Sequence, residues 1–96
     1  MTFRLHPQAE KELDAAAEYY ESRQPGLGLE FVEEVYTTIA RICDFPEAWS
    51  LLSKRTRRCL MNRFPYGVVY EVRAESVRII AVANLQRRPD YWRGRK

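Results

Sequence analysis

The stretch Arg57–Trp92, RRCLMNRFPYGVVYEVRAESVRIIAVANLQRRPDYW, decides the fold. It holds three strand candidates in quick succession: Arg57–Asn62, Val68–Arg73 and Val77–Asn84. Phe64-Pro65-Tyr66-Gly67 supplies the first turn and Ala74-Glu75-Ser76 the second, lengths that join neighbouring antiparallel strands. Along Tyr66–Val72, alternation puts Tyr66, Val68, Tyr70 and Val72 on one face, and Gly67, Val69 and Glu71 on the other. The last strand is apolar on both faces, with Val77, Ile79, Ala81 and Ala83 against Ile80 and Val82. Helices on one side of a sheet need only one apolar face. The surplus requires a second cover, from the basic, aromatic tail Gln86–Lys96 or from a partner chain.

Upstream, the periodicity is helical. Thr2–Leu5 alternates as a short first strand, and Pro7 suits the first turn of a helix because its missing N–H has no partner there. His6 falls near the N-cap, a structural place rather than a catalytic one. Leu13, Ala16, Ala17 and Tyr20 give an apolar face to a helix from Pro7 to about Arg23, with Glu10, Glu12, Asp14, Glu18 and Glu21 largely off it. Gln24-Pro25-Gly26 breaks the pattern. A second helix, about Leu27 to Cys43, carries Val32, Val35, Tyr36, Ile39, Ile42 and Cys43 on one face. Ser50–Thr56 is polar and basic and reads as a loop. The expected fold is α+β, order β-α-α-β-β-β: a two-helix hairpin on one face of a roughly four-stranded antiparallel sheet. Its expected core is Leu13, Ala17, Tyr20, Val32, Val35, Ile39, Ile42, Leu60, Val68, Tyr70, Ile79 and Ala81.

Ninety-six residues make a single domain spanning 1–96, and 46% apolar content is enough for a packed interior. The longest apolar run, Ile79–Ala83, is far below the roughly 18 residues of a membrane span. With no apolar segment for a secretory signal, the expected location is cytoplasmic, away from membranes. Cys43 and Cys59 both sit within apolar patterns and read as buried thiols, and one histidine without a CxxC motif leaves no zinc site and no cofactor to expect. The net charge of +3 hides a polarised chain. Residues 1–48 carry four basic groups against ten acidic, and residues 49–96 twelve against three. A cationic sheet half of this kind fits a polyanion or an acidic partner.

These residues, in this order, resemble the RelE/ParE superfamily, the toxins of type II toxin–antitoxin modules often labelled plasmid stabilisation proteins. The resemblance runs along nearly the whole chain. It is carried by Ala9, Leu13, Tyr19-Tyr20 and Phe31, then more sharply by Arg57-Arg58, Arg63-Phe64-Pro65-Tyr66 and Val69-Tyr70. Ile79–Ala83 and Arg87-Arg88-Pro89-Asp90-Tyr91-Trp92 complete it. It implies a growth-arresting toxin neutralised by a cognate antitoxin from an adjacent gene. An acidic segment dotted with apolar residues is the expected form of that partner, covering the last strand and the basic patch. The target implied is either DNA gyrase, inhibited without cutting, or ribosome-bound mRNA, cleaved to block translation.

Metal-free RNA cleavage needs a base for the 2′-OH, an acid for the leaving oxygen and cations for the phosphorane. Lys54, Arg57, Arg58, Arg63, Arg87 and Arg88 supply cations, and the phenol of Tyr91 is a candidate proton donor or stacking surface. No base is evident: many relatives carry a histidine just after the last strand, where this chain has Asn84. The candidate binding residues are Lys54, Arg58, Arg63, Arg87, Arg88 and Tyr91, of which Arg58, Arg63, Arg87 and Tyr91 would be catalytic in a nuclease. Arg87 and Arg88, just past a strand end, are the strongest pair, whereas Tyr66, Tyr70 and Trp92 read as core residues.

Overall fold

In the computed structural model, residues 1–88 and 90–95 are described. Pro89 and Lys96, both within the tail read from the sequence, lie outside them. The chain forms β1 (Thr2–Leu5), α1 (Pro7–Arg23), α2 (Leu27–Asp44), β2 (Ser50–Leu51), β3 (Thr56–Leu60), β4 (Tyr66–Arg73) and β5 (Ser76–Asn84). The sheet order is β1-β5-β4-β3-β2. The expected helical hairpin and antiparallel meander are both present, but the sheet is mixed and has five strands. β1 runs parallel to β5, and the chain between them passes through the α1–α2 hairpin and then β2, β3 and β4. The supposed loop Ser50–Thr56 also begins with a two-residue edge strand, paired antiparallel with β3. No helix among the described residues is long and apolar enough to cross a membrane.

Local chemistry sets the helix ends. Pro7 occupies the first turn of α1, and His6 caps it, its Nδ1 accepting the Gln8 N–H at 3.0 Å. Gly26 stands at φ +89°, a conformation that favours glycine, and turns the chain into α2. The Glu21 carboxylate accepts the N–H groups of Gly26 and Gly28, so a side chain of α1 satisfies the start of α2. At Gly28 the helices are so close that a Cβ would lie 2.5 Å from the Ala17 carbonyl oxygen.

The main core lies between the helices and the sheet. Ala9, Leu13 and Ala16 of α1 meet Phe31, Val35, Ile39 and Ile42 of α2 over Cys59, Val68, Tyr70, Val77, Ile79 and Val82. Ala17, Tyr20 and Val32 are half-buried at its rim. An aromatic cluster joins the two helices to the β3–β4 turn, with Tyr20, Phe31, Phe64 and Tyr66 ring centroids within contact range.

Of the expected core, Ala81 is buried but on the other face of the sheet, and Leu60 is not buried at all, both for identifiable reasons. Val69 pairs with Ala81 but Tyr70 with Ile79, leaving Ile80 as an extra residue in β5. Such a bulge reverses the alternation that follows it. Ala81 therefore faces away from the helices and joins Val69, Ile80, Ala83 and Trp92 in a second cluster, while Val82 enters the main core. Leu60 is exposed, because Cys59 takes the inward position on β3. The tail itself covers the second apolar face, with Trp92 buried and Tyr91 and Leu52 packed around it.

Candidate functional site

Alternation on β3 separates the adjacent arginines. Arg57 leans to the helix side, where its Nη1 donates to the carbonyl oxygens of Trp49 (2.7 Å) and Glu47 (3.2 Å), fixing the α2–β2 connection. Arg58, opposite Val69 in register, lies on the other face. Its stem crosses Gly67, where a Cβ would come 2.9 Å from Arg58 Cδ. A glycine there leaves room for the arginine to lie against the sheet.

β5 ends at Asn84, whose Oδ1 accepts the Gln86 N–H and whose carbonyl accepts that of Arg87. The turn sends Arg87 and Arg88 to the same side as Arg58. Successive tight turns over Asp90–Arg95, closed by N–H bonds from Arg93 to Asp90 and from Arg95 to Trp92, then lay Tyr91 and Trp92 on the sheet. A cavity of about 130 Å³ results. Arg58, Arg87 and Arg88 line it with Asn84, Tyr91 and one carboxylate, Asp90, over an apolar floor of Val69 and Ala83 and between walls of Leu52, Leu85 and Trp92.

Four of the six candidates, Arg58, Arg87, Arg88 and Tyr91, thus come together. Arg63 does not join them: its guanidinium pairs with Glu30 of α2 at 2.7 Å, and its N–H donates to Glu34. The expected strip of Arg58, Arg63, Arg87 and Arg88 is therefore incomplete, because the β3–β4 turn is held against the helices. Lys54 lines a separate groove on the helix side of the β2–β3 hairpin.

Residues 3–89 match the family described as ParE toxin of type II toxin-antitoxin system, parDE. The chain belongs to the ParE toxin family. A solved structure titled "Chromosomal ParDE TA system from P. aeruginosa" contains a chain of the same fold, with TM-score 0.78 and 16% identity over 90% of this chain and 97% of that one. No curated protein is significantly similar.

The wall of this ParE-family toxin's cavity is held by a residue not singled out from the sequence. Glu12 of α1 makes a two-point ion pair with Arg95, both contacts 3.0 Å, and each side chain is 15% exposed. The same carboxylate accepts the Val82 N–H at 3.1 Å, while Arg95 donates to the Ile80 carbonyl. β1 stops pairing with β5 at Ile79, so these two side chains satisfy the strand edge beyond it. Arg87 stands 3.8 Å from Glu12. The sequence reading set Glu12 largely off the apolar face, but it falls between Ala9 and Ala16 on the buried side of α1, where a carboxylate needs a partner.

Tyr91, His6 and the two thiols are poorly placed for proton transfer. Arg87 stacks on the Tyr91 ring at 3.8 Å and Arg95 lies 5.2 Å from its centroid. The Tyr91 hydroxyl is buried without a sound hydrogen bond among the described residues. Burial first, and then the nearby Glu12 carboxylate, raise its ionisation well above that of an ordinary phenol. Tyr91 is therefore a weak acid and a support for Arg87. Burial, then the charges of Arg78 and Arg95, lower the pKa of His6, whose Nδ1 is already engaged at the α1 cap and which does not line the cavity. Burial raises both thiols, so Cys43 and Cys59 are not reactive thiolates.

Proposed function

We propose that this toxin arrests growth by binding DNA gyrase through its cationic face, without cutting nucleic acid, and that a cognate antitoxin from an adjacent gene neutralises it in the cytoplasm. Membership of the ParE toxin family supports the toxin role. The observation that favours binding over cleavage is the composition of the cavity. Three guanidinium groups converge there, yet the residue at the end of β5 is Asn84, which cannot take a proton from a 2′-OH, and the carboxylate that also lines the cavity, Asp90, is 3.5 Å from the Arg93 guanidinium. The Tyr91 hydroxyl is buried, and His6 is committed to a helix cap.

The alternative is ribosome-dependent mRNA cleavage. It draws on the same arginines, since three cations around one small cavity suit a phosphorane as well as an acidic protein surface. Two assays on the purified toxin separate the readings. Inhibition of gyrase supercoiling, with mRNA left intact in a coupled translation reaction, is the expected result. Discrete cuts in ribosome-bound mRNA with gyrase unaffected would reverse the assignment.

A further inference from the structure

The cationic cavity has a neighbouring compartment. A groove of about 300 Å³ runs between α1 and the end of β5, bordered by Glu12, Tyr19, Tyr66, Asn84, Arg87 and Tyr91. Asn84, Arg87 and Tyr91 line the cavity as well, so the two spaces adjoin. Their linings differ: three guanidinium groups surround the cavity, and three tyrosine rings border the groove. The rings are held in place. Tyr66 packs tilted against Phe31 and Tyr20, at 5.0 and 6.2 Å between centroids. Tyr19 is 50% exposed, with the Arg23 guanidinium 5.0 Å from its ring and hydrogen-bonded to its hydroxyl. Tyr91 carries the Arg87 guanidinium. The carboxylates of the two spaces are engaged, Glu12 by Arg95 and the Val82 N–H, Asp90 by Arg93. Asn84 gives its Oδ1 to the Gln86 N–H, and its amide nitrogen has no partner among the described residues.

We propose that groove and cavity together hold one unpaired nucleotide of a DNA strand, its base against the tyrosines and its phosphate among the arginines. Aromatic rings attract a base through its flat face, whatever its identity. The Asn84 amide nitrogen can donate to a polar edge of that base. Guanidinium groups bind phosphate through charge-assisted hydrogen bonds. An aspartate or glutamate of a protein would also engage the arginines but brings no flat face to the groove, and an aromatic residue brings no anion. One nucleotide carries both on adjoining groups. A duplex does not fit, because its bases are paired and stacked within it. With Asn84 in place of a general base, a strand held here is bound rather than cut. Gyrase works on DNA, so a held strand and a bound gyrase surface are compatible, but neither requires the other.

The test is an amide-shift titration of the wild-type toxin with a short single-stranded DNA oligomer, the same oligomer as a duplex, and inorganic phosphate. The single strand should move the amides of Tyr19 and Tyr66 together with those of Arg58 and Arg88, and inorganic phosphate only the latter pair. The duplex should bind at least about tenfold more weakly. Tyr19→Ala, at an exposed position, should weaken single-strand binding about tenfold, and Tyr19→Trp should retain it. Shifts confined to the arginines, no binding at roughly millimolar strand, or equal affinity for the duplex overturn the proposal. So does tighter binding of an acetylated peptide that alternates glutamate with phenylalanine, which would assign the site to a protein. A toxin that inhibits gyrase supercoiling but binds no strand keeps the gyrase reading and loses this site. One that binds the strand and leaves gyrase untouched does the reverse.

Discussion

Replacing Glu12 by alanine should release the tail, and the expected cost can be worked from its contacts. The carboxylate pairs with Arg95 at 3.0 Å through both oxygens, accepts the Val82 N–H, and lies 3.8 Å from Arg87. Breaking a fully buried pair by removing one partner costs about 3–5 kcal/mol, and the 15% exposure of both groups places this pair below that. The Val82 N–H, on a strand edge that β1 no longer covers, adds about 1 kcal/mol when left unmet. We therefore expect a loss of about 2–4 kcal/mol, or roughly 10–25 °C in melting temperature for a domain of this size. Arg95→Ala should cost less, because Glu12 keeps Val82 and the charge of Arg87. Urea denaturation of both single variants and the double variant gives a coupling energy, expected at about 1–3 kcal/mol. If Glu12→Ala melts within about 3 °C of wild type, the ion pair does not fasten the tail, and the apolar contacts of Trp92 must hold it alone.

Gly28→Ala should destabilise by about 1–3 kcal/mol in urea denaturation, because the new Cβ meets the Ala17 carbonyl oxygen, a backbone atom that cannot swing aside. Burial raises the Tyr70 phenol to about 12, partly offset by Arg57. The folded state thus keeps a proton that the unfolded chain releases near pH 10. That stability is complete below pH 10 and is lost as pH rises towards 12, amounting to about 2–3 kcal/mol. Tyr70→Phe should flatten the alkaline decline in melting temperature. Arg88→Ala should weaken growth arrest, in cells lacking antitoxin, more than Arg73→Ala, whose side chain is occupied by Glu71 on the far turn. In a target-binding assay it should also lower the salt slope by about one counterion if the ligand is a phosphate. Arg88 is a cleaner probe than Arg87, since losing Arg87 also removes the cation stacked on Tyr91.

Periodicity made the two helices and three long strands legible, because each must bury one stripe or face whatever its surroundings. Pairing was harder. The parallel contact of β1 with β5 joins residues more than seventy positions apart, and no local pattern records it. The bulge at Ile80 left no trace either: Ile80, Ala81 and Val82 are all apolar, so alternation there is consistent with any phase. The site was legible in part. Arg58, Arg87 and Arg88 stood out by charge and by position near strand ends, but charge could not tell them from Arg57 and Arg63. Those two are consumed by structure, one by backbone carbonyls and the other by Glu30.

The same division explains the polarised sequence. Read alone, the acidic helices are a solvated face and the basic strands a surface for partners. In the folded protein much of one charge serves the other. Glu12 holds Arg95, Glu30 holds Arg63, and Glu34 receives the N–H groups of Asn62 and Arg63. Glu21 spends its charge on the start of α2. Among the described residues of the basic half, Lys54, Arg55, Arg58 and Arg88 have no such carboxylate partner, as Arg4, Lys11, Arg23 and Arg41 of the helical half have none. Those of the basic half fall on the two sides of the β2–β3 hairpin, Arg58 and Arg88 in the tail cavity and Lys54 and Arg55 at the helix-side groove. Exposed arginines and lysines add little to stability, so these four side chains are not committed to holding the fold.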